Sequence, residues 1–401
     1  MESTGSEQRQ RWNRRLKAVA LGLGLALTAL TVRHGYETFT FGHPLCENCR
    51  ADFPSLYSGA KLIWENPGAL YDLQRQLAIQ KNIDPRIGES ALAYAYPPVT
   101  ALLLMPLGWL SFANAYLVMA VVNGLLMLVA FKLLVGSLQL HKEQVAWLGL
   151  ATLCNFGVHS TILQGQTSIL TLLLIVLFMR STCQANSTAA GLSSGALFFK
   201  PQLVAVPFLI LATRRLWRAA ILGAVLIVGL SALSALLVGV DGIADYLRIA
   251  RRFSASASDL GTNPQDMHNL RALVFFGFAE PQASYIWFAS SALVAAGVYL
   301  LNAANRQDEI ASGAQWIGNV AAMLLLSPHL HAHDLALLAM PSAWLLKLFK
   351  SEIPSRVAIL LIAVGIYPLL PVMLSTNLLP VIPLLLLIAL AISIRAVQRL
   401  P

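Results

Sequence analysis

Long apolar runs separated by short polar breaks recur from Leu16 to Val397, and a helix needs about twenty such residues to cross a bilayer. Runs and breakers together predict spans at roughly 16–34, 115–135, 145–163, 167–180, 188–200, 202–213, 217–240, 284–304, 313–328, 333–349, 356–371 and 378–396. The pieces on either side of Lys200-Pro201 are shorter than a normal span, so a broken or re-entrant pair and two crossings both fit. The expected fold is an all-α, polytopic transmembrane helix bundle, a single integral membrane domain over residues 1–401 with roughly ten to twelve spans.

Composition agrees. The chain is 57% hydrophobic and 12% charged, whereas a soluble domain is about a quarter charged. The net charge of +9 does not point to nucleic acid, because the basic residues fall in small groups between apolar runs and form no aromatic-interleaved patch. They read instead as a topology signal. Arg9, Arg11, Arg14, Arg15 and Lys17 precede the first run, making residues 1–15 a cytoplasmic basic tail, and each short loop assigned to the same side carries Lys or Arg. Both termini are then cytoplasmic, in a multi-pass cell (plasma) membrane protein. Two long loops lie outside, roughly 35–98 and 241–283. The first continues to 114 through an apolar stretch, 99–110, that is too short to span and fits the membrane interface. In the first loop Cys46 and Cys49 leave three states open: a small disulfide, free thiols, or metal ligands.

Carboxylates are missing from the middle of the chain, with no Asp or Glu between Glu143 and Asp241, and Asp334 alone between Glu309 and Glu352. Ion-coupled transport usually leaves intramembrane acids. The polar residues that do interrupt apolar runs are Gln164, Gln166, Lys200, and His329, His331, His333 and Asp334. All fall at expected outer ends, on the side of the two long loops, so separate segments point to one extracytoplasmic site. Asp52 opens a helical stretch in the first loop. Two roles fit it: a helix N-cap, or a general base for a hydroxyl acceptor.

Six motifs come in a meaningful order: Asp52-Phe53 with Tyr57 and Ala60; Leu70-Tyr71-Asp72; Tyr96-Pro97-Pro98 with Met105-Pro106-Leu107; Gln164-Gly165-Gln166; Phe199-Lys200-Pro201-Gln202; and Ser327-Pro328-His329 with Asp334. Over residues 50 to 345 this order resembles glycosyltransferase family 87, the polyprenol-phosphate-mannose-dependent alpha-mannosyltransferases and their kin. The resemblance implies a multi-span fold of the lipid-sugar-dependent (GT-C) type, with Asp52 as catalytic base and one histidine of the Ser-Pro segment in the site. It leaves open which of His329, His331 and His333 that is.

A lipid-phosphate sugar donor calls for cations at its leaving phosphate. Lys200 lies between apolar runs, where an ammonium needs an anionic partner unless it snorkels to the interface. Arg248 and Arg252 share a face of an amphipathic helix over 245–253, with phosphate or headgroup contact and a solvated face both open. Arg271 completes the cationic set. Gln164, Gln166, His268, Asn269, His329, His333 and Asp334 are candidates to line the sugar or acceptor pocket, with His268, Asn269 and Arg271 equally readable as loop residues. His329 and His333 would share a helix face at i and i+4, yet nothing in the sequence requires a metal, and no cofactor is called for beyond the polyprenyl-phosphate sugar. The expected partners are the bilayer, that donor, and a glycan or glycolipid acceptor. A rival reading is a transporter or flippase of lipid-linked or small polar cargo; the absent carboxylates and the lack of a visible inverted repeat count against it. A polysaccharide polymerase or ligase would share the outer face.

Overall fold

A computed structural model describes residues 2–41, 52–83, 92–255, 267–303, 309–349, 352–369 and 381–399. Cys46 and Cys49 lie outside the described residues. Every regular element in them is helical. Four helices are long and apolar enough to cross a membrane: Arg11–Glu37 within α1 (Glu2–Phe41), α5 (Phe112–Leu138), Trp217–Phe253 within α11 (Trp217–Ala255), and α13 (Gln282–Ala303). A fifth span forms if α6 (Lys142–Leu153) and α7 (Phe156–Leu163), bent by 49° at their junction, count as one. Of the roughly ten to twelve expected spans, several of them short, four or five are full-length among the described residues, and shorter apolar helices such as α8 (Ser168–Cys183) accompany them. The reason is local. Polar and proline breaks cut the apolar sequence into pieces that pack on one another.

The break at Lys200 is the clearest case. α9 (Ser187–Ala196) starts with the Asn186 side chain accepting the Ala189 N–H, and tightens into a turn over Leu197–Phe199. Lys200 then leaves helical geometry at φ −126°, ψ 78°, and Pro201 opens a second turn, Pro201–Leu203, ahead of α10 (Ala205–Thr213). Proline disfavours helix in the residue before it, which places the break at Lys200. α9 packs against α8 and α11, and α10 against α13. The break between the two short pieces thus falls at Lys200-Pro201, as the sequence expects.

In the first loop, α2 (Phe53–Glu65) packs on α4 (Pro98–Gly108), with α3 (Leu73–Ile83) beside α2. Their apolar faces, with Tyr94, Phe112 and Tyr116, form one buried cluster, which also takes in Val238 and Ile249 of α11. A larger cluster fills the rest of the bundle, from Ala130 of α5 through Leu172 of α8 to Leu335 and Leu337. α11 breaks at Gly239, where the backbone takes φ 73°, open to glycine without strain, so the first stretch ends where the span was expected to end, near 240. A second helical stretch then runs to Ala255 and carries Arg248 and Arg252, as the amphipathic helix expected over 245–253 does. α12 (Leu270–Gly277), α14 (Glu309–Leu326), α15 (Ala339–Lys347), α16 (Ser355–Ile366) and α17 (Val381–Arg399) complete the bundle.

Candidate active site

Asp52 stands at the N-cap position of α2, where its carbonyl accepts the Ser55 and Leu56 N–H groups. Its side chain caps nothing. Phe53 fixes the helix start by burying its ring against Tyr57, Phe112 and Tyr116, a contribution of about 2 kcal/mol. The carboxylate is turned instead toward a residue 114 positions away: Gln166 Nε2 donates to Asp52 Oδ2 at 2.7 Å. With its side chain 35% exposed, Asp52 is the site carboxylate open to an incoming hydroxyl.

The turn between α7 and α8 supplies both glutamines. Gly165 adopts φ +59°, and a Cβ there would lie 2.5 Å from the Phe53 ring. Only glycine meets both demands at low cost. Reversing the chain at this point sends its neighbours to different partners. Gln164 Oε1 and His333 Nδ1 lie 2.7 Å apart, within hydrogen-bond reach. Gln166 Oε1 accepts the Tyr96 hydroxyl at 3.0 Å. Burial, with the Asp52 charge beside it, pushes the Tyr96 phenol far above its usual range, so it remains a donor.

The third contribution is the short helical turn Ala332–Leu338, which lies against α7. Any side chain at Gly157 would strike the backbone of residues 335 and 336, and that close approach lets Thr161 Oγ1 donate to the His333 carbonyl at 3.0 Å and Asn155 Nδ2 to that of Leu335 at 3.1 Å. His333 Nδ1 sits 3.8 Å from Asp52 Oδ2, and its Nε2 sits 3.4 Å from Asp334 Oδ2. Asp334 Oδ1 takes Lys200 Nζ at 2.8 Å and the Ser168 hydroxyl at 2.7 Å, while Lys200 also donates to Ser168 Oγ at 2.9 Å. The lysine and aspartate side chains are 2% and 6% exposed. The anionic partner of Lys200 is therefore Asp334. A buried pair of this kind survives because each charge and its remaining hydrogen-bonding capacity are met.

Six of the expected residues thus meet: Asp52, Gln164, Gln166, Lys200, His333 and Asp334. Sequence reasoning missed two members. Tyr96 stood within a quoted motif, but no signal marked its hydroxyl, and Ser168 two residues after Gln166 gave none. The i, i+4 alignment of His329 with His333 is corrected, because the segment is not an α-helix there: His329 lies edge-on to Phe253, with centroids 5.3 Å apart, while His331 stacks at a tilt 5.9 Å from His333. Burial, then His331 and His333 nearby, pulls the His268 imidazole to about 4, and burial, then His331 and Arg271, pulls His329 to about 3. Both are neutral near pH 7. Among the described residues no group of three His, Cys, Asp or Glu is placed to hold a metal.

The remaining candidates lie apart from this network. Asn269 uses both ends of its amide in the fold, accepting the Ala272 N–H at the start of α12 and donating to the Ser327 carbonyl at 2.7 Å. Arg271 is buried between the Phe275 and Trp287 rings, 5.2 and 5.7 Å from their centroids. Arg248 and Arg252 line a cleft of about 570 Å³ with Asn66, Tyr71, Asp72 and Arg75, and Arg248 pairs with Asp245. The cleft and the network are joined through Tyr71, whose hydroxyl donates to the Tyr96 carbonyl at 2.7 Å.

A helical membrane bundle that gathers a carboxylate, two amides and a paired histidine at the ends of its segments fits a membrane-embedded group-transfer enzyme. The chain belongs to glycosyltransferase family 87, whose family model matches residues 94–328, and it is a membrane glycosyltransferase. That span holds Tyr96, Gln164, Gln166 and Lys200; Asp52, His333 and Asp334 lie outside it. No curated protein and no solved structure matches the chain.

Proposed function

We propose that the enzyme moves a hexose, by resemblance mannose, from a polyprenyl-phosphate donor to a hydroxyl of a glycan or glycolipid, with inversion at the anomeric carbon. The reaction runs on the extracytoplasmic face of the cell membrane, with both termini cytoplasmic. The single observation behind this reading is the Asp52 carboxylate, released from helix capping, held at 2.7 Å by Gln166 and still one-third exposed. Asp52 takes the acceptor proton as that oxygen attacks the anomeric carbon; the bond to phosphate breaks and its electron pair leaves with the polyprenyl phosphate. His333, 3.8 Å from the same carboxylate oxygen, is the histidine of the site.

For the leaving phosphate, the Arg248 and Arg252 cleft is the better candidate than Lys200, whose charge is already met by Asp334. Lys200 then serves by fixing Asp334 against His333. Asp52→Asn decides the reading, assayed in proteoliposomes with polyprenyl-phosphate mannose and membranes of a deletion strain as acceptor source. A loss of turnover of about 10²–10⁴-fold is expected. Near-normal turnover overturns it.

A further inference from the structure

We infer that Tyr96 and Gln166 act together as positioning residues, a directional hydrogen-bonded arm that aims the Asp52 carboxylate at the incoming hydroxyl. The inference rests on the proposed role of Asp52, and it gives Gln166 a different task from the sugar contact expected of it.

The direction of the arm follows from what each group can do. A carboxylate only accepts, so the Gln166 atom 2.7 Å from Asp52 Oδ2 must be the amide nitrogen. The amide oxygen then faces two donors. One is the Thr167 N–H at 3.4 Å, which the backbone fixes; the other is the Tyr96 hydroxyl at 3.0 Å. Flipping the amide would point its oxygen at a carboxylate and its NH₂ at a backbone N–H, two repulsive contacts at once. Each bond therefore fixes the polarity of the next. The scaffold holds both residues rigidly: Gln166 is 2% exposed and its carbonyl accepts Asn123 Nδ2 at 3.0 Å, while Tyr96 is anchored by Tyr71 through its carbonyl. Donation at the far end by Tyr96 polarises the amide and strengthens the bond it gives to Asp52.

An aimed base is felt in the chemical step and not in substrate binding, so loss of the arm lowers kcat and leaves KM in place, a split that a general loss of structure would not give. The test measures kcat and KM separately for mannose transfer from polyprenyl-phosphate mannose by the full-length protein in proteoliposomes, with deletion-strain membranes supplying the acceptor. Gln166→Ala should lower kcat by about 10²-fold with KM unchanged. Tyr96→Phe, which removes one oxygen and leaves the ring packed, should lower it by less, and the double variant should lower it no further than Gln166→Ala alone, because Tyr96 acts only through the amide. A rise in KM with kcat kept in Gln166→Ala overturns the inference, as do losses from the two variants that simply add. If Gln166→Ala does not fold, Tyr96→Phe carries the decision on the same split. Asp52→Asn is run alongside: if it retains turnover, the base assignment itself fails, whereas an inactive Asp52→Asn with unchanged kcat in the other variants sinks the positioning arm alone.

Discussion

Two aspartates stand at helix starts in the first loop, and they do opposite things. At α3, Asp72 Oδ1 accepts the N–H groups of Gln74 and Arg75 at 2.9 and 3.2 Å, an ordinary cap satisfying donors that a first helical turn leaves open. At α2, Asp52 holds the same position and gives its side chain to Gln166. Residue type and local position are alike; the difference lies in what tertiary packing brings opposite. Here the Gly165 turn, seated on the Phe53 ring, delivers an amide to one carboxylate and nothing equivalent reaches the other. A functional acid in this fold is recognised by the capping bond it does not make.

The comparison can be broken in stages. The largest contrast is between the two Asp→Asn variants: Asp52→Asn should abolish most turnover, as stated above, and Asp72→Asn should leave the thermal transition in place, because Asn caps about as well as Asp. A destabilised Asp72→Asn would show that its carboxylate does more than cap. Next comes the support behind His333. Asp334→Asn or Lys200→Met leaves a buried charge unmatched and should lower stability by about 3–5 kcal/mol, read as an earlier thermal transition in detergent. Lys200→Met with Asp334→Leu should recover much of that loss, and a double variant as unstable as the singles would show that the pair is not what holds the segment. Gly165→Ala forces a left-handed residue against Phe53; the conformational term alone is about 1–2 kcal/mol, and turnover should fall with the thermal transition because both glutamines move. A fully active, equally stable Gly165→Ala would detach the turn from the site. The smallest effect is Asp72→Ala, a loss of about 1 kcal/mol in stability read as a slightly earlier thermal transition.

Much of this was legible in the sequence, and unevenly so. Apolar runs located most helices within a few residues, α5 and α13 among them, and the Pro201 break gave the Lys200 bend, because both signals are local. The way short runs combine into crossings was not legible, since hydropathy does not say whether two short runs stack into one span or break apart, whereas the change from apolar to amphipathic pattern marked the break near Gly239. Six site residues could be nominated because polar groups that interrupt apolar runs are costly and have to gather somewhere. Their pairing could not. Lys200 meeting Asp334, Gln166 meeting Asp52, and the selection of His333 over its neighbours depend on contacts spanning 134, 114 and 169 positions. The two readings left open for Asn269 could not be separated for the same reason: a polar loop residue looks alike whether it faces a ligand or caps a helix, as its bond to the Ala272 N–H does here.

The buried ion pair also has a bearing on how the protein is made. Lys200 leaves the ribosome 134 residues ahead of Asp334, so the α9–α10 segment enters the membrane carrying an ammonium whose counter-charge has not yet been synthesised. Chains cut short before Asp334 are left with that unpaired charge among apolar helices, a defect of the sort that membrane quality control removes. The active site is consequently among the last parts of the fold to close, and closing it is what makes the nascent bundle electrically complete.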